Sequence, residues 1–379
     1  MSGLLPDVDP DGLLEFSVVF TDRSLNHMSQ QFQQVMRDIS TTLKEVYSAS
    51  AVVVVPGGGT FGMEAVARQF AGDQHVMVIR NGWFSFRWTQ ILDAGKIPAS
   101  STVLKARRSS DESAPAAFAP APIEEAVAAI RKEKPAVVFA PHVETAAGMI
   151  LPDDYIRQLA DATHEVGGLL VLDCIASGTI WVDMQKTGVD ILVSAPQKGW
   201  SSSPCSALVM LSDLALERID STTSSSFAVD LKQWLKIMQA YENGGHAYHS
   251  TMPTDPLKNF RDTMLESKKI GFDLLKSKQL ELGKAVRELF ARYGFKSVAA
   301  AGFESPGVAV FFTDDDVLKT GSPFMQQGLQ VAAGVPLAVD EGEDYKSFRI
   351  GLFGIDKLMN VERTTGHLEA ALQKIKPGN

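Results

Sequence analysis

Five short, strongly apolar runs, each closed by a turn or a polar residue, do most to limit what this chain can fold into. They are Ala51-Val-Val-Val-Val55, His75-Val-Met-Val-Ile79, Ala136-Val-Val-Phe139, Gly168-Leu-Leu-Val-Leu172 and Asp190-Ile-Leu-Val193. Runs this short, rich in β-branched residues and without polar alternation, read as strands buried on both faces. Between them lie helical patterns. Gln31–Tyr47 carries Phe32, Val35, Met36, Ile39, Leu43 and Val46 at helical spacing, and 60–70, 123–132 and 153–166 read as further helices. Strands alternating with amphipathic helices predict an α/β fold with a parallel or mostly parallel sheet covered on both faces. Ser206–Leu211 follows the fifth run so closely that it must return along a neighbour, antiparallel.

After Ser212 the pattern changes. Ser221-Thr-Thr-Ser-Ser-Ser226 reads as a flexible surface loop. A long helix is expected over 256–294, a strand at 307–312, a helix at 323–332, a strand end at Phe348-Arg-Ile-Gly and a closing helix over 361–374. The start, with Pro6 and Pro10 close together, reads as irregular. A length of 379 residues suits about two domains. The predicted division is an N-terminal segment 1–25, a large domain 26–264 and a smaller α+β domain 265–379.

Composition removes several function classes. A formal net charge of −9 with no Lys/Arg-rich run argues against nucleic acid and anionic membrane surfaces as partners. Two cysteines, Cys174 and Cys205, allow at most one disulfide and no cysteine-based metal cage. No His/Asp/Glu spacing suggests a metal. No basic, apolar signal opens the chain, and no run nears the ~18 apolar residues that span a bilayer. A cytoplasmic protein is expected.

Three features carry chemistry. Gly57-Gly-Gly-Thr-Phe-Gly62 stands between a strand and a helix, where bare backbone N–H groups and the helix dipole favour an anion. It is no Walker loop, since no Gly-Lys-Ser/Thr follows. It also fits G-x-G-x-x-G, so a dinucleotide site is a rival. That site wants an acid about 20 residues on. Arg80 and Asn81 stand there instead, and Arg80 suits a 2′-phosphate. Asp173 ends the fourth apolar run, where open α/β sheets bind ligands, although Asp also caps helices and makes turns. Lys198 follows the fifth run, between Pro196 and Gly199. A lysine delivered by a strand end is either a buried cation needing a partner or an amine kept reactive by desolvation, fit to form a Schiff base. An anion cradle, a buried acid and such an amine on one rim are what pyridoxal phosphate needs: a phosphate site, a carboxylate for its ring nitrogen and a lysine for its aldehyde.

At this point the chain resembles the fold-type I, class V aminotransferases, and most of all their alanine–glyoxylate and serine–pyruvate group. The matching pieces occur in order from about residue 50 to 355. They are Gly57-Gly-Gly-Thr-Phe-Gly-Met-Glu-Ala65, Arg80-Asn-Gly-Trp-Phe-Ser-Phe-Arg87-Trp, His142-Val-Glu-Thr-Ala-Ala-Gly148, Leu172-Asp-Cys-Ile-Ala-Ser177, Ala195-Pro-Gln-Lys-Gly199, Tyr248-His-Ser-Thr-Met-Pro253 and Phe348-Arg-Ile-Gly-Leu-Phe-Gly354. The resemblance implies a mostly parallel sheet of the seven-stranded type and pyridoxal 5′-phosphate as cofactor. It implies that Gly58, Gly59 and Thr60 hold the phosphate with Gln197. Phe84 would stack on the pyridine ring, Ile175 would pack on the other face, and Thr145 would bond near the ring hydroxyl. Asp173 would pair with the ring nitrogen and Lys198 would bind the aldehyde. Tyr248 and Thr251 would reach the phosphate of the partner subunit in a homodimer, and Arg349 would clamp the substrate α-carboxylate. Beside these roles stand plainer ones: a core side chain for Phe84, a turn for Thr145, a surface ion pair for Arg349. His142 reads as support for a strand end, and His246 and His249, near Tyr248, read either as lining the site or, beside Gly244-Gly245, as parts of an ordinary turn.

One departure concerns the N-terminal region. The family usually opens with a Pro-Gly-Pro stretch near the substrate, whereas this chain has Val19-Phe-Thr-Asp-Arg-Ser-Leu-Asn-His-Met-Ser29, which offers Arg23 and Asn26 as contacts. The function expected is amino transfer from a small amino acid to glyoxylate or pyruvate by a ping-pong Schiff-base route. The alternatives are a 2-aminoethylphosphonate–pyruvate aminotransferase or a lyase of the same fold, and an NADP-linked oxidoreductase using the Gly57–Gly62 loop.

Overall fold

A computed structural model describes residues 13–109 and 115–376, so Pro6 and Pro10 lie outside the described residues. Helix α1 (Gln30–Tyr47) leads into β1 (Ala51–Pro56), α2 (Gly59–Phe70), β2 (His75–Arg80), α3 (Trp83–Gly95) and β3 (Ser100–Lys105). The order continues with α4 (Ile123–Glu133), β4 (Val137–Pro141), α5 (Asp153–Glu165), β5 (Leu169–Asp173), β6 (Ile191–Ser194) and β7 (Ser206–Leu211). Next come α6 (Leu231–Glu242), α7 (Thr254–Ile270), α8 (Phe272–Arg292), β8 (Val308–Phe312), β9 (Ala332–Ala333), β10 (Ser347–Gly351) and α9 (Val361–Ile375).

Strands β1 to β7 form one sheet in the order β1-β7-β6-β5-β4-β2-β3. Strand β7 runs antiparallel to both its neighbours, and every other pair is parallel. The fold is therefore α/β with a mostly parallel seven-stranded sheet. Helices on both faces explain why β4, β5 and β6 are buried along their whole length. Helix α1 shows the local logic. Ser29 caps it by accepting the N–H of Phe32, and the stripe Phe32, Val35, Met36, Ile39 and Leu43 is buried.

A second, antiparallel sheet has the order β8-β10-β9. Its core is aromatic, with Phe290 and Phe311 stacked at 4.5 Å. One apolar cluster runs from Leu25 to Met264 and another from Leu275 to Leu372. A third joins them, setting Ala146 and Met149 against Val298, Val308, Val310 and Leu337.

Two local expectations are corrected, and one strand is added. The helix read over 256–294 is two helices, parted at Gly271, whose φ of +103° no helix accommodates. The apolar spacing runs on through the break, which is why it read as one. In 323–332 only Ser322–Met325 is helical, and the segment ends as β9, paired with β10. Strand β3 went unread because its first residues are Ser100, Ser101 and Thr102. It is an edge strand with β2 as its one neighbour, so its residues are exposed or half-buried. Both cysteines are free and buried. Among the described residues no helix is long and apolar enough to cross a membrane.

Candidate active site

The carboxyl ends of five strands deliver their loops to one rim. Strand β1 brings Gly59 and Thr60, β2 brings Phe84, β4 brings Thr145, β5 brings Asp173 and Ile175, and β6 brings Gln197 and Lys198. With Arg349 from the second sheet they line a cavity of about 470 Å³, the size of a small-ligand site. Arg349 sits in the middle of β10 rather than at its end, opposite Val310 and Ala332. A wider hollow of about 780 Å³ lies near Lys296, Lys346, Asp314 and Asp315, and none of the strand-end residues reaches it.

Asp173 occupies the centre of the sheet, with Val193 of β6 opposite it on one side and Pro141 of β4 on the other. One carboxyl oxygen accepts the N–H of Ile175 at 2.9 Å, which turns the chain sharply off the strand. Burial pushes this carboxyl up to about 7; the Ile175 N–H opposes that, nearby Glu144 adds to it, and Arg87 and Lys198 counter it. Lys198 is shifted the other way. Burial lowers its amine below the usual range, Arg349 lowers it further, and Asp173 offsets part of this. Its Nζ lies 5.1 Å from the Phe353 ring centroid. Desolvation thus favours the neutral, nucleophilic form of the amine.

The start of α2 explains the glycines. Gly58 is the N-cap in extended conformation and supplies no side-chain acceptor, so the N–H groups of Gly59 and Thr60 are left uncapped by any side chain, while that of Phe61 donates to the Gly58 carbonyl at 2.8 Å. Gly59 must be bare, because a Cβ there would lie 2.4 Å from Ile175 Cδ1. Gly58 stands at the edge of this cradle, and a Cβ there would meet nothing within 4 Å.

Three contributors carried no assigned role from the sequence. Buried Glu144 accepts the N–H groups of Phe84 (3.2 Å), Ser85 (2.8 Å) and Ala146 (2.9 Å) and the Ser85 hydroxyl (2.7 Å), which fixes the start of α3. Burial raises its carboxyl above the usual range against the pull of those bonds. Arg87 lines the cavity, and its Nη1 donates to Thr60 Oγ1 at 3.2 Å. Phe353 faces Lys198. The signals for Arg87 and Glu144 were their places beside Phe84 and Thr145 in the same short motifs.

Tyr248 and Thr251 do not reach the cavity of their own chain. They bond each other at 3.1 Å, and Tyr248, half exposed, packs on His27 with ring centroids 5.6 Å apart. His142 supports the strand ends: its Nδ1 is 2.6 Å from Ser177 Oγ, and burial holds the ring down at about 3, uncharged. His249 bonds the carbonyl of Phe227. The dinucleotide rival meets a topological objection. In a dinucleotide-binding unit the second strand lies beside the first, whereas here β7, β6, β5 and β4 stand between β1 and β2. Arg80 is committed elsewhere, over the Phe86 ring at 4.4 Å and donating to Thr89 and the Ala338 carbonyl.

The donor set fits pyridoxal phosphate. An uncapped helix start suits the phosphate, and Asp173, whose carboxyl burial pushes up, suits a protonated ring nitrogen, which would offset that burial. The Gln197 amide oxygen, buried without a partner, marks a side chain whose amide is free to turn toward a ligand. Phe84 and Ile175 supply apolar walls.

Comparison with known proteins agrees. The class-V aminotransferase family model matches residues 15–334. A Synechococcus sp. (strain PCC 6716) protein named soluble hydrogenase, small subunit, is 26% identical over 362 residues, covering 93% of this chain and 88% of its own length. Alanine–glyoxylate aminotransferase of Callithrix jacchus is 26% identical over 369 residues, covering 92% and 82%. In fold, the chain superposes on an alanine–glyoxylate aminotransferase structure from Nostoc sp. with a TM-score of 0.76 at 20% identity, covering 92% of this chain and 88% of that one. A lysine amine, a central aspartate and a glycine cradle at the strand ends of this sheet, together with a family match over most of its length, make the chain a member of the class-V aminotransferases, the PLP-dependent transaminases of fold type I.

Proposed function

We propose that this protein moves an amino group from a small amino acid to glyoxylate or pyruvate, in two half-reactions at one site. The observation that carries the reading is the convergence of Lys198, Asp173 and Arg349 on a single cavity from two different sheets. Bound there, pyridoxal phosphate supplies an aldehyde for the amine and a protonated ring that draws electrons from the substrate α-carbon. Gly58, Gly59, Thr60 and Gln197 would hold the phosphate, Phe84 and Ile175 would flank the ring, and Thr145 would bond beside its hydroxyl. Asp173 would pair as a carboxylate with the protonated ring nitrogen, whose positive charge would lower the affinity for protons that burial raises in the empty site. Lys198 would be the residue that binds the aldehyde, and its amine, kept neutral by burial, would take the proton from the substrate α-carbon as base and return it as acid. Arg349 grips the α-carboxylate in a bidentate fork, its Nε already oriented by the Ala333 carbonyl at 2.8 Å.

The working unit is a homodimer in the cytoplasm. Tyr248 and Thr251, turned away from their own cavity, contact the phosphate in the partner's site. The exposed apolar side chains Leu13, Leu14, Phe16 and Val18 are of the kind that a second subunit covers. The chain divides near residue 264, between the first and second apolar clusters.

A screen of amino donors, 2-aminoethylphosphonate included, against glyoxylate and pyruvate tests the substrate reading, and turnover with small amino acids is expected. In parallel, Lys198→Ala should lose both turnover and the visible absorbance of the cofactor-loaded protein. Retention of that absorbance in Lys198→Ala would overturn the role of the lysine.

A further inference from the structure

The anion cradle has a shortage of charge. From Pro56 to Gly62 it contains no cationic side chain, yet a phosphate monoester carries roughly 1.5 to 2 negative charges near neutrality. A helix start offers only about half a positive charge. Lys198 and Arg349 are engaged elsewhere in the proposed reading. One cationic side chain of the cavity is left.

Arg87 stands on α3 three residues beyond Phe84, so the two share a helix face. Its Cζ lies 5.6 Å from the Phe84 ring centroid, and Nη1 donates to Thr60 Oγ1 at 3.2 Å. No carboxylate among the described residues forms an ion pair with it. Because Thr60 accepts this bond, its own hydroxyl proton is free to point away from Arg87, into the cradle. A guanidinium has five donors in a fixed fork, and this one spends a single donor on Thr60.

We propose that Arg87 is a phosphate-binding residue of this site. Anchored by the Thr60 hydroxyl, it supplies the fixed positive charge that the glycine cradle lacks, and it links the α2 start that meets the phosphate to the α3 face that carries Phe84. The inference rests on the reading of the cavity as a pyridoxal phosphate site.

The test is the difference between two probes that share a ring and differ in the phosphate. Dissociation constants of pyridoxal phosphate and of pyridoxal are measured by equilibrium dialysis on cofactor-stripped wild type, Arg87→Gln and Arg87→Lys. Arg87→Gln should weaken pyridoxal phosphate by roughly ten- to a hundredfold, leave pyridoxal unchanged, and be partly rescued by Arg87→Lys. Equal losses for both probes, or no loss for either, overturn the proposal. So does an unchanged pyridoxal phosphate affinity with a raised KM for the substrates, which would make Arg87 a substrate contact. Should Arg87→Gln not fold, Arg87→Met, which keeps the stem against Phe84 and removes the charge, is read by the same difference. As a separate measurement, inorganic phosphate should raise the melting temperature of stripped wild type more than that of Arg87→Lys. Failure of the wild type to bind pyridoxal phosphate at all would strike the cofactor reading itself, which keeps the two failures distinct.

Discussion

The Oε1 atom of Glu144 accepts the backbone N–H of Phe84 at 3.2 Å, across 60 residues of sequence. Through this bond the end of β4, which also carries Thr145, sets the place of the aromatic ring at the start of α3. Glu144→Ala would leave the buried N–H groups of Ser85 and Ala146, and the half-buried one of Phe84, without an acceptor. At ~1–3 kcal/mol for each unsatisfied group, the loss should exceed about 3 kcal/mol. Glu144→Gln keeps one carbonyl acceptor and should lose less. Urea midpoints check this, and an unchanged midpoint in Glu144→Ala would refute the clamp.

Asp173 predicts a pH dependence. Its carboxyl is raised from an ordinary 3.8 to about 7 in the folded, cofactor-free protein. A raised acid makes folding take up protons, so its contribution is fully present below the unfolded value and is lost as pH rises through about 7. Stripped wild type should therefore lose stability relative to Asp173→Asn between pH ~4 and ~7. The stability of wild type minus that of Asp173→Asn, from denaturation curves of the two proteins, should fall steadily across that window. If that difference stays constant, the carboxyl is not held up by burial.

Gly58 and Gly59 should respond differently to the same methyl group. In Gly59→Ala the new Cβ falls 2.4 Å from Ile175 Cδ1, and overpacking of this kind costs ~1–3 kcal/mol. In Gly58→Ala it meets no protein atom within 4 Å, so stability should fall by less than about 1 kcal/mol. Affinity for pyridoxal phosphate should fall in both if Gly58 borders the phosphate. Thermal melting beside cofactor titration separates the two effects, and equal melting losses would count against the steric account.

Arg349→Ala should raise the KM for the amino donor by roughly ten- to a hundredfold, the worth of a charged bidentate contact. Arg349→Lys should lie between, since a point charge cannot reproduce the fork. Steady-state kinetics with one small amino acid suffice, and an unchanged KM would remove the clamp.

Much of this was readable in the sequence, for a physical reason. A strand buried on both faces must be apolar throughout, so Asp173 and Lys198, polar groups next to such runs, mark the strand ends where ligands bind. Glu144 was not readable as a clamp, because its partners come from a helix 60 residues away. Arg87 stood in a matching motif without a role, because its bond to Thr60 joins two helices 27 residues apart in sequence. The break at Gly271 was hidden because the apolar stripe continues past it and only the backbone angle reveals it. Arg80 misled in the other direction: it stands at the right interval after the glycine loop, but strand order places four strands between the two.

The two grips of the proposed site belong to different cores, Lys198 to the seven-stranded sheet and Arg349 to the three-stranded one. A molecule held at both ends is then a tie-rod across the third apolar cluster. Its binding free energy is added to whatever keeps the two cores in register. A ligand that reaches only one of the two residues would add its binding free energy to one core alone.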